Sequence, residues 1–327
     1  MTESSAPPFL YPPGSPLMHP PLALSASRMY GFWAKGDVPR LQASVDGTLN
    51  AAAAGRMHFK VLGPYVLLTF TEVGHANSTD PIDEAKGWGR ETDIVTWVLV
   101  ARIDAGKHSP SAFYAYPMHI WVDDCMALIN GRELFGYPKY ECTCKIPAPD
   151  AGATGFRLAA KGFQPFAETT ELAMHPLLEV DALDTSLQSE RLLDAGAWRS
   201  RQLQALRSDP DFWAADPAWQ TDFEQWFSFP AVDQVFLKQL PDASGQYAVY
   251  QALITAPARV KAMSGLWLLP DTYQLKLHEF ASFPLHHTLG WGLGIQPVHA
   301  CFRVDFDFEV GDGTVVWDNT ASHGVET

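Results

Sequence analysis

The feature that most constrains the fold is a series of long apolar runs with the two-residue alternation of β-strands. The clearest are IVTWVLVARI (94–103), FYAYPMHIWVDD (113–124) and CFRVDFDFEV (301–310). All three are rich in β-branched and aromatic residues, which favour strands over helices. A chain built mainly from such runs is predicted to form antiparallel β-structure, either as a barrel or as a large folded-over sheet.

Two local patterns support this interpretation. In the run 301–310, apolar and polar side chains occupy opposite faces, with Phe302, Val304, Phe306 and Phe308 on one and Arg303, Asp305 and Asp307 on the other. The segment Asp-Ala-Ser-Gly, 242–245, separates two further β-like runs and predicts a hairpin. The sequence therefore predicts sheet structure with one buried and one polar face in these regions.

One block of the chain reads differently, as helix. Residues 183–227 carry apolar positions at a helical period, and Thr185 with Gln188 predicts a capping box at the start. We expect this block to be an insertion that caps the sheet or builds a subunit contact. Residues 1–22 are rich in Pro and Ser and are predicted to form an extended N-terminal arm, with 23–327 as a single domain.

The overall charge excludes some classes of function. The 327 residues contain 37 Asp and Glu against 23 Lys and Arg, which gives a net charge of −14. Such a surface repels phosphate backbones, so nucleic-acid binding is not expected. The N-terminus lacks the basic start and apolar run of a signal peptide, and no apolar stretch is long enough for a membrane span. We therefore expect a cytoplasmic protein that does not bind membranes.

Metal and cofactor sites are not predicted. The four cysteines form no C-x-x-C pair, and Cys142 with Cys144 is interpreted as a pair of strand residues sharing a face. The Asp123-Asp124 pair has no third ligand at metal-binding spacing. The chemistry is therefore expected to come from the protein's own side chains.

The segment GRELFGYPKYE, 131–141, holds the most chemically suggestive residue, Lys139. An ordinary lysine has a pKa of about 10.4, whereas an amine must be neutral to attack a carbonyl carbon. Burial among the flanking Tyr137, Pro138 and Tyr140 would lower the pKa of Lys139 and prepare it for Schiff-base formation. The alternative from these residues alone is a lysine at a strand end whose stem lies on the tyrosines.

Residues 127–139, ALINGRELFGYPK, resemble the pattern that carries the Schiff-base lysine of the acetoacetate decarboxylase family. Further similarity lies in Arg-Met-Tyr at 28–30, in GWGRE at 87–91, and in the segments 236–241 and 273–285. Together these cover most of residues 23–310, except for the helical block. The resemblance implies an α+β fold, mainly antiparallel β, with a large β-barrel or cone plus the helical insertion.

The resemblance also assigns roles to particular residues. It implies that Lys139 is the nucleophile, that Arg28 binds a substrate carboxylate, and that Glu91 is the active-site glutamate, with Glu84 as the competing position. The family's second lysine is replaced by Tyr140, and we expect Tyr137 and Tyr140 to contact the substrate. The family's other acidic residue is not located in the segment YVLLTFTEV, and a homo-oligomer is implied.

These assignments leave three functions open. The default is a Schiff-base lyase that removes carbon dioxide from a small 3-oxo acid. An aldolase or dehydratase acting on a 2-oxo acid such as pyruvate would use the same lysine. A non-catalytic protein that binds a carbonyl ligand is the third, from a different class.

Overall fold

The predicted α+β architecture, mainly antiparallel β, is confirmed by a computed structural model that describes residues 8–148, 153–227 and 232–319. The strands are β1 Leu22–Lys35, β2 Met57–Ser78, β3 Gly89–Asp104, β4 Ala112–Val122, β5 Lys139–Lys145, β6 Phe156–Gly162, β7 Ala173–Ala182, β8 Glu190–Leu192, β9 Asp233–Pro241, β10 Ala248–Leu268, β11 Tyr273–Leu277, β12 Gly294–Pro297, β13 His299–Val310 and β14 Thr314–Asp318.

The helices of the described residues are short and lie between strands. They are α1 Val38–Val45, α2 Ala51–Ala53, α3 Cys125–Asn130, α4 Ala195–Arg207, α5 Gln220–Trp226 and α6 Leu285–Thr288. Wider π-helical turns follow α1 at Asp46–Asn50 and α3 at Gly131–Phe135, and 3-10 turns occur at Glu84–Lys86 and Pro217–Trp219. None of these helices is long and apolar enough to cross a membrane.

Seven strands close into a ring. Neighbours pair in the order β4-β3-β2-β1-β13-β10-β9, and β9 returns to β4 through the pairing of Gln234 with Ala115. A second group of strands, β5, β6, β7, β11 and β12, continues from the edge at β4. The ring therefore has an inner face and an outer face, and this second group covers part of the outer one.

Both faces of the ring strands are apolar. On β1, Met29 and Trp33 belong to the inner cluster, whereas Tyr30 and Phe32 pack outward against Phe156 of β6. Alternation along each strand separates these two cores, because successive side chains point to opposite faces. A shift of one residue along a ring strand therefore moves a side chain from one core to the other.

The helical block closes one end of the inner core. Its helix α4 begins after Asp194, whose carboxylate accepts hydrogen bonds from the backbone N–H of Ala197 and Gly196. The prediction of a capping box at Thr185 and Gln188 is therefore wrong; a chain reversal and the short strand β8 precede the helix. Apolar side chains of the block join the inner cluster: Trp198, Leu203, Leu206, Phe212, Phe223 and Phe227.

The two other local predictions differ in outcome. The hairpin at 242–245 is confirmed, since β9 and β10 pair on either side of it. Of the predicted arm, residues 1–7 lie outside the described residues, and 8–21 contain no helix or strand. Its later part is held by Asn130, which accepts a hydrogen bond from the Met18 N–H, and by buried Asp83, which accepts one from the His19 N–H at 2.6 Å.

Candidate active site

Strand β3 places two carboxylates on the inner face of the ring. Glu91 and Asp93 are two residues apart, so the alternation of the strand points both the same way. Their neighbours on this face, Val95 and Trp97, are buried and apolar. Two acids therefore stand at one end of an otherwise apolar row.

The turn before β5 delivers Lys139 to the same place. The turn ends with Gly136 in the left-handed region, at φ 88°, and Lys139 then pairs with Ile120 of β4. Arg132 holds the turn by donating a hydrogen bond to the Lys139 carbonyl at 3.0 Å. Gly131 lies beneath the lysine stem, and a Cβ there would stand 2.7 Å from the lysine Cδ. Glycine is needed at 131 because the lysine side chain passes directly over it.

Lys139, Glu91 and Asp93 form what we call the inner ion cluster. The Lys139 Nζ lies 3.3 Å from Asp93 Oδ1 and 3.6 Å from Glu91 Oε2. Only 9% of the lysine side chain is exposed, against 11% for Glu91 and 19% for Asp93. An amine and two carboxylates thus share a site that is nearly closed to water.

The electrostatics of this cluster differ from the sequence prediction. Burial lowers the pKa of Lys139, but Asp93 and Glu91 together raise it by more, so its pKa lies above the ordinary value. The prediction that burial leaves this lysine with a depressed pKa is therefore wrong in direction. Burial also raises the pKa of Glu91 to about 7, against the opposing effect of the Lys139 charge and with a further rise from Asp93. Burial is thus the main cause of the raised Glu91 pKa, and the two neighbouring carboxylates are the cause of the raised Lys139 pKa.

The cluster stands at one wall of a cavity of about 130 Å³ inside the ring. Most of its lining is apolar. The polar lining consists of Thr71, Asn130, Tyr137 and Gln234 together with the inner ion cluster, and the apolar lining includes Met29, Val95, Trp97, Ile120, Phe306 and Phe308. The site can therefore hold a small apolar molecule with one reactive group against the amine.

The two predicted tyrosines take different positions. Tyr137 lines the cavity, with its ring centre 5.9 Å from the Lys139 Nζ and its hydroxyl donating to Gln234 Oε1 at 3.0 Å. Burial, with Asp93 and Glu91, raises the pKa of Tyr137, so its hydroxyl stays a neutral donor. Tyr140 follows Lys139 on β5 and faces the other way, where its ring packs against Phe283. Tyr140 therefore does not line the cavity.

Arg28 is not brought to the cavity either. It lies between Ser27 and Met29 on β1, and Met29 is the residue that lines the cavity. The Arg28 guanidinium instead lies 3.2 Å from Glu72 Oε2 and 3.7 Å from Asp305 Oδ1. With Arg303, which bonds Asp305 at 2.9 Å, these residues form what we call the outer ion cluster. The expectation that Arg28 binds a carboxylate beside Lys139 is thus corrected by the face on which it lies.

The structure distinguishes between the two glutamates considered as the acid beside Lys139. Glu91 reaches Lys139, whereas the competing Glu84 is exposed in a 3-10 turn. No acid of β2 lines the cavity; the second acid beside Lys139 is Asp93 on β3, which sequence reasoning did not single out. Two-residue spacing from Glu91 was the signal that could have found it.

Comparisons with known proteins identify a family whose sequence pattern this chain carries. The family described as acetoacetate decarboxylase (ADC) matches residues 58–191, a range that contains Glu91, Asp93 and Lys139. No curated protein matches the chain. The sequence resemblance to the family therefore holds through the segment that forms the inner ion cluster.

Solved structures share the whole architecture at low sequence identity. An acetoacetate decarboxylase from Legionella pneumophila is 15% identical, with a TM-score of 0.60 over 97% of this chain and 94% of its own. An acetoacetate decarboxylase-like enzyme from Sphingomonas wittichii RW1 is 16% identical, with a TM-score of 0.57 over 96% and 100%.

A third structure carries a ligand. The enduracididine biosynthesis enzyme MppR, in complex with the condensation product of pyruvate and imidazole 4-carboxaldehyde, is 12% identical, with a TM-score of 0.51 over 93% and 92%. The resemblance to the acetoacetate decarboxylase family is thus confirmed: the chain carries the family's sequence pattern across residues 58–191 and has the acetoacetate decarboxylase-like fold.

Proposed function

We propose that this protein is a Schiff-base-forming lyase in which Lys139 is the nucleophile and Glu91 moves protons. The observation that carries the proposal is the amine of a buried lysine held 3.3–3.6 Å from two carboxylates at the wall of an apolar cavity. A structural ion pair would balance one acid with one base. Here a second acid accompanies a reactive group that faces open space within the ring.

The carboxylates supply a route for the proton that Lys139 must lose. Moving a proton from the ammonium to Glu91 replaces two buried charges with two neutral groups. Because the pKa of Lys139 is raised and that of Glu91 is about 7, this neutral pair is the minor form, from which the free amine attacks. The raised pKa of Glu91, about 7, fits a carboxyl group that exchanges protons near neutral pH. Activation by proton transfer thereby replaces the predicted activation by burial alone.

The covalent steps follow from the free amine. Its lone pair forms a C–N bond to the carbonyl carbon, and the oxygen takes two protons and leaves as water, which gives an iminium ion. Breaking a bond at the adjacent carbon then sends the electron pair into the iminium to form an enamine. Protonation of that carbon by Glu91, and hydrolysis by one water, release the product and restore Lys139.

Two reactions share this route. Loss of carbon dioxide from a 3-oxo acid, the reaction that the sequence resemblance favours, breaks the C–C bond to the carboxylate. Aldol chemistry instead removes a proton and joins the enamine to a second carbonyl compound. The condensation product bound to MppR is an example of the second kind on a similar fold.

Reductive trapping tests the proposal. The protein is incubated with acetoacetate, pyruvate or acetone and reduced with borohydride, and the modified peptide is located by mass spectrometry. We expect an adduct on Lys139 with at least one of the three compounds, and none in Lys139→Met. Release of carbon dioxide from acetoacetate identifies the decarboxylase.

The outcomes separate the alternatives. An adduct that never turns over, with acetoacetate or with an added aldehyde, supports the non-catalytic carbonyl-binding protein. If no compound modifies Lys139, or if the variant is modified to the same extent, the nucleophile assignment is lost.

A further inference from the structure

The charge of the cavity wall is unbalanced. When all three groups are ionised, Lys139 contributes one positive charge and Glu91 with Asp93 two negative ones. A substrate that carries a carboxylate would add a further negative charge within a few ångströms of this excess. At such distances in a nearly dry site, like charges repel strongly.

No second cation offsets this excess among the described residues. Among these residues, no arginine and no lysine other than Lys139 lines the cavity. Arg28 pairs with Glu72 on the outer face. The undescribed segment next to the lining residue Val232, Ser-Phe-Pro-Ala at 228–231, contains no cationic side chain in its sequence. Arg90 lines an adjoining groove and lies 5.8 Å from the ring centre of Trp88.

The remaining wall suits an apolar group. Aromatic and aliphatic side chains from β1, β3, β4 and β13 surround the space opposite the inner ion cluster: Met29, Val95, Trp97, Ile120, Phe306 and Phe308. The cavity volume of about 130 Å³ is close to that of an engineered apolar protein cavity, about 150 Å³, that binds benzene. A phenyl-sized substituent therefore fits this space, whereas a carboxylate would lie there without a donor of opposite charge.

We propose that the compound Lys139 binds is an uncharged aldehyde or ketone with an apolar substituent, and not an oxo acid. The proposal rests on the Schiff-base function above and narrows its substrate class. Thr71 lines the cavity with a hydroxyl that has no hydrogen-bond partner among the described residues and suits a neutral carbonyl oxygen, whereas Tyr137, whose own proton goes to Gln234, can accept from a substrate hydroxyl.

The substrate class determines the reaction. Without a carboxylate there is no carbon dioxide to lose, so the bond broken next to the iminium is C–H or an aldol C–C bond. In the condensation direction, the Glu91 carboxylate takes the C–H proton and the enamine carbon bonds to the carbonyl carbon of a second aldehyde. The new alkoxide oxygen takes that proton from Glu91, and one water hydrolyses the iminium to the hydroxy ketone.

Matched pairs of compounds test the charge preference. Acetone and pyruvate differ only by a methyl group in place of a carboxylate, as do 4-phenylbutan-2-one and 2-oxo-4-phenylbutanoate. Each of the four compounds is trapped on Lys139 over a range of concentrations. Each trapping rate is divided by the rate at which the same compound is trapped on free N-acetyl-lysine. We expect half-saturation by each ketone at a concentration at least about tenfold below that of its oxo acid, with the phenyl ketone lowest.

Two variants show whether charge causes the preference. Asp93→Asn removes one negative charge and is expected to shift the ratio within each pair toward the oxo acid, which a purely apolar preference would not do. Arg90→Gln is expected to leave the ratio unchanged. Loss of oxo-acid trapping in Arg90→Gln would instead show that the adjoining groove holds a carboxylate, and would overturn the proposal.

The remaining outcomes are distinct from one another. Tighter trapping of the oxo acids overturns the proposed substrate class and leaves the Schiff-base function intact. Absence of any Lys139 adduct with all four compounds overturns both.

Discussion

The inner ion cluster, on β3 and β5, and the outer ion cluster, on β1, β2 and β13, lie on opposite faces of the ring and differ in charge balance. The outer cluster pairs two arginines with two acids; Arg28 and Glu72 are 29% and 44% exposed, and Arg303 and Asp305 are 16% and 21% exposed. The inner cluster has one lysine for two acids, and none of the three side chains is more than 19% exposed. Balanced charges near water are what a structural ion pair requires, whereas a buried excess of one sign is typical of a functional site.

The comparison also shows how little separates the two roles. Met29 and Thr71 pair across β1 and β2 and line the cavity, while the adjacent pair of Arg28 and Glu72 belongs to the outer cluster. One position along the strand decides whether a side chain lines the cavity or belongs to the outer ion cluster. Variants on the two faces should therefore separate function from stability.

Removing the two cations should give the largest contrast. We expect Lys139→Met to lower kcat/KM on the order of 10⁴-fold or more, because the covalent route is lost. Arg28→Met, a change of the same kind on the outer face, should alter kcat/KM less than about threefold, well short of one transition-state contact. Steady-state kinetics with a compound that traps on Lys139 measures both, and comparable losses would show that the two faces are not functionally distinct.

Removing the acids should give the next largest contrast. Glu91→Gln should lower kcat/KM by about 10²–10⁴-fold, the usual range for a general acid or base, whereas Glu72→Gln should change it little. Because Glu91 must be ionised to accept a proton, kcat/KM of the unaltered protein should rise with pH through about 7. This rise of kcat/KM with pH should be absent from the pH profile of Glu91→Gln. If the rise persists in the variant, the group that titrates is not Glu91.

Displacing Lys139 without removing it should have a smaller effect. In Gly131→Ala the new Cβ would lie 2.7 Å from the lysine Cδ, so the flexible side chain must move. We expect a loss of about 10²-fold in kcat, the cost of a misplacement of about 1 Å, with little change in thermal stability. Gly47→Ala, where nothing lies within 4 Å of the added atom, is the matched control. Equal effects in the two variants would remove the positioning role of Gly131.

The smallest expected effect is on the outer face. Glu72→Gln should lower the free energy of unfolding by about 0.2–1 kcal/mol, since exposed ion pairs contribute little. Urea unfolding at low and at high salt measures this difference, which should shrink as salt screens the pair. A loss of several kcal/mol would mean that the outer cluster is a buried structural element.

The sequence allowed the strands and two residues of the inner ion cluster to be predicted for identifiable reasons. Alternation in 301–310 and the Asp-Ala-Ser-Gly turn are local signals, and both correspond to observed elements. Lys139 and Glu91 were predicted from separate motifs and lie 3.6 Å apart. Their closeness depends on pairing between β3, β4 and β5, which neither motif contains.

Other features could not be predicted locally. On β1 both faces are apolar, so the alternation of Met29 with Tyr30 does not indicate which face looks inward, and Arg28 was assigned to the wrong one. The direction of the Lys139 pKa depends on Asp93, whose contact with the lysine is a tertiary one. The start of α4 was predicted wrongly because Thr185 and Gln188 fit a capping pattern. The residue that caps the helix is Asp194, nine residues after Thr185.

The pairing of β1 with β13 has a consequence for how the protein is made. These strands are the first and the last but one of the described strands, and β13 contributes Phe306 and Phe308 to the cavity. At roughly 5–20 residues per second, a ribosome needs tens of seconds to proceed from one to the other. Until then the wall opposite Lys139 is unfinished, so a nascent chain completes this cavity only after β13 has been synthesised.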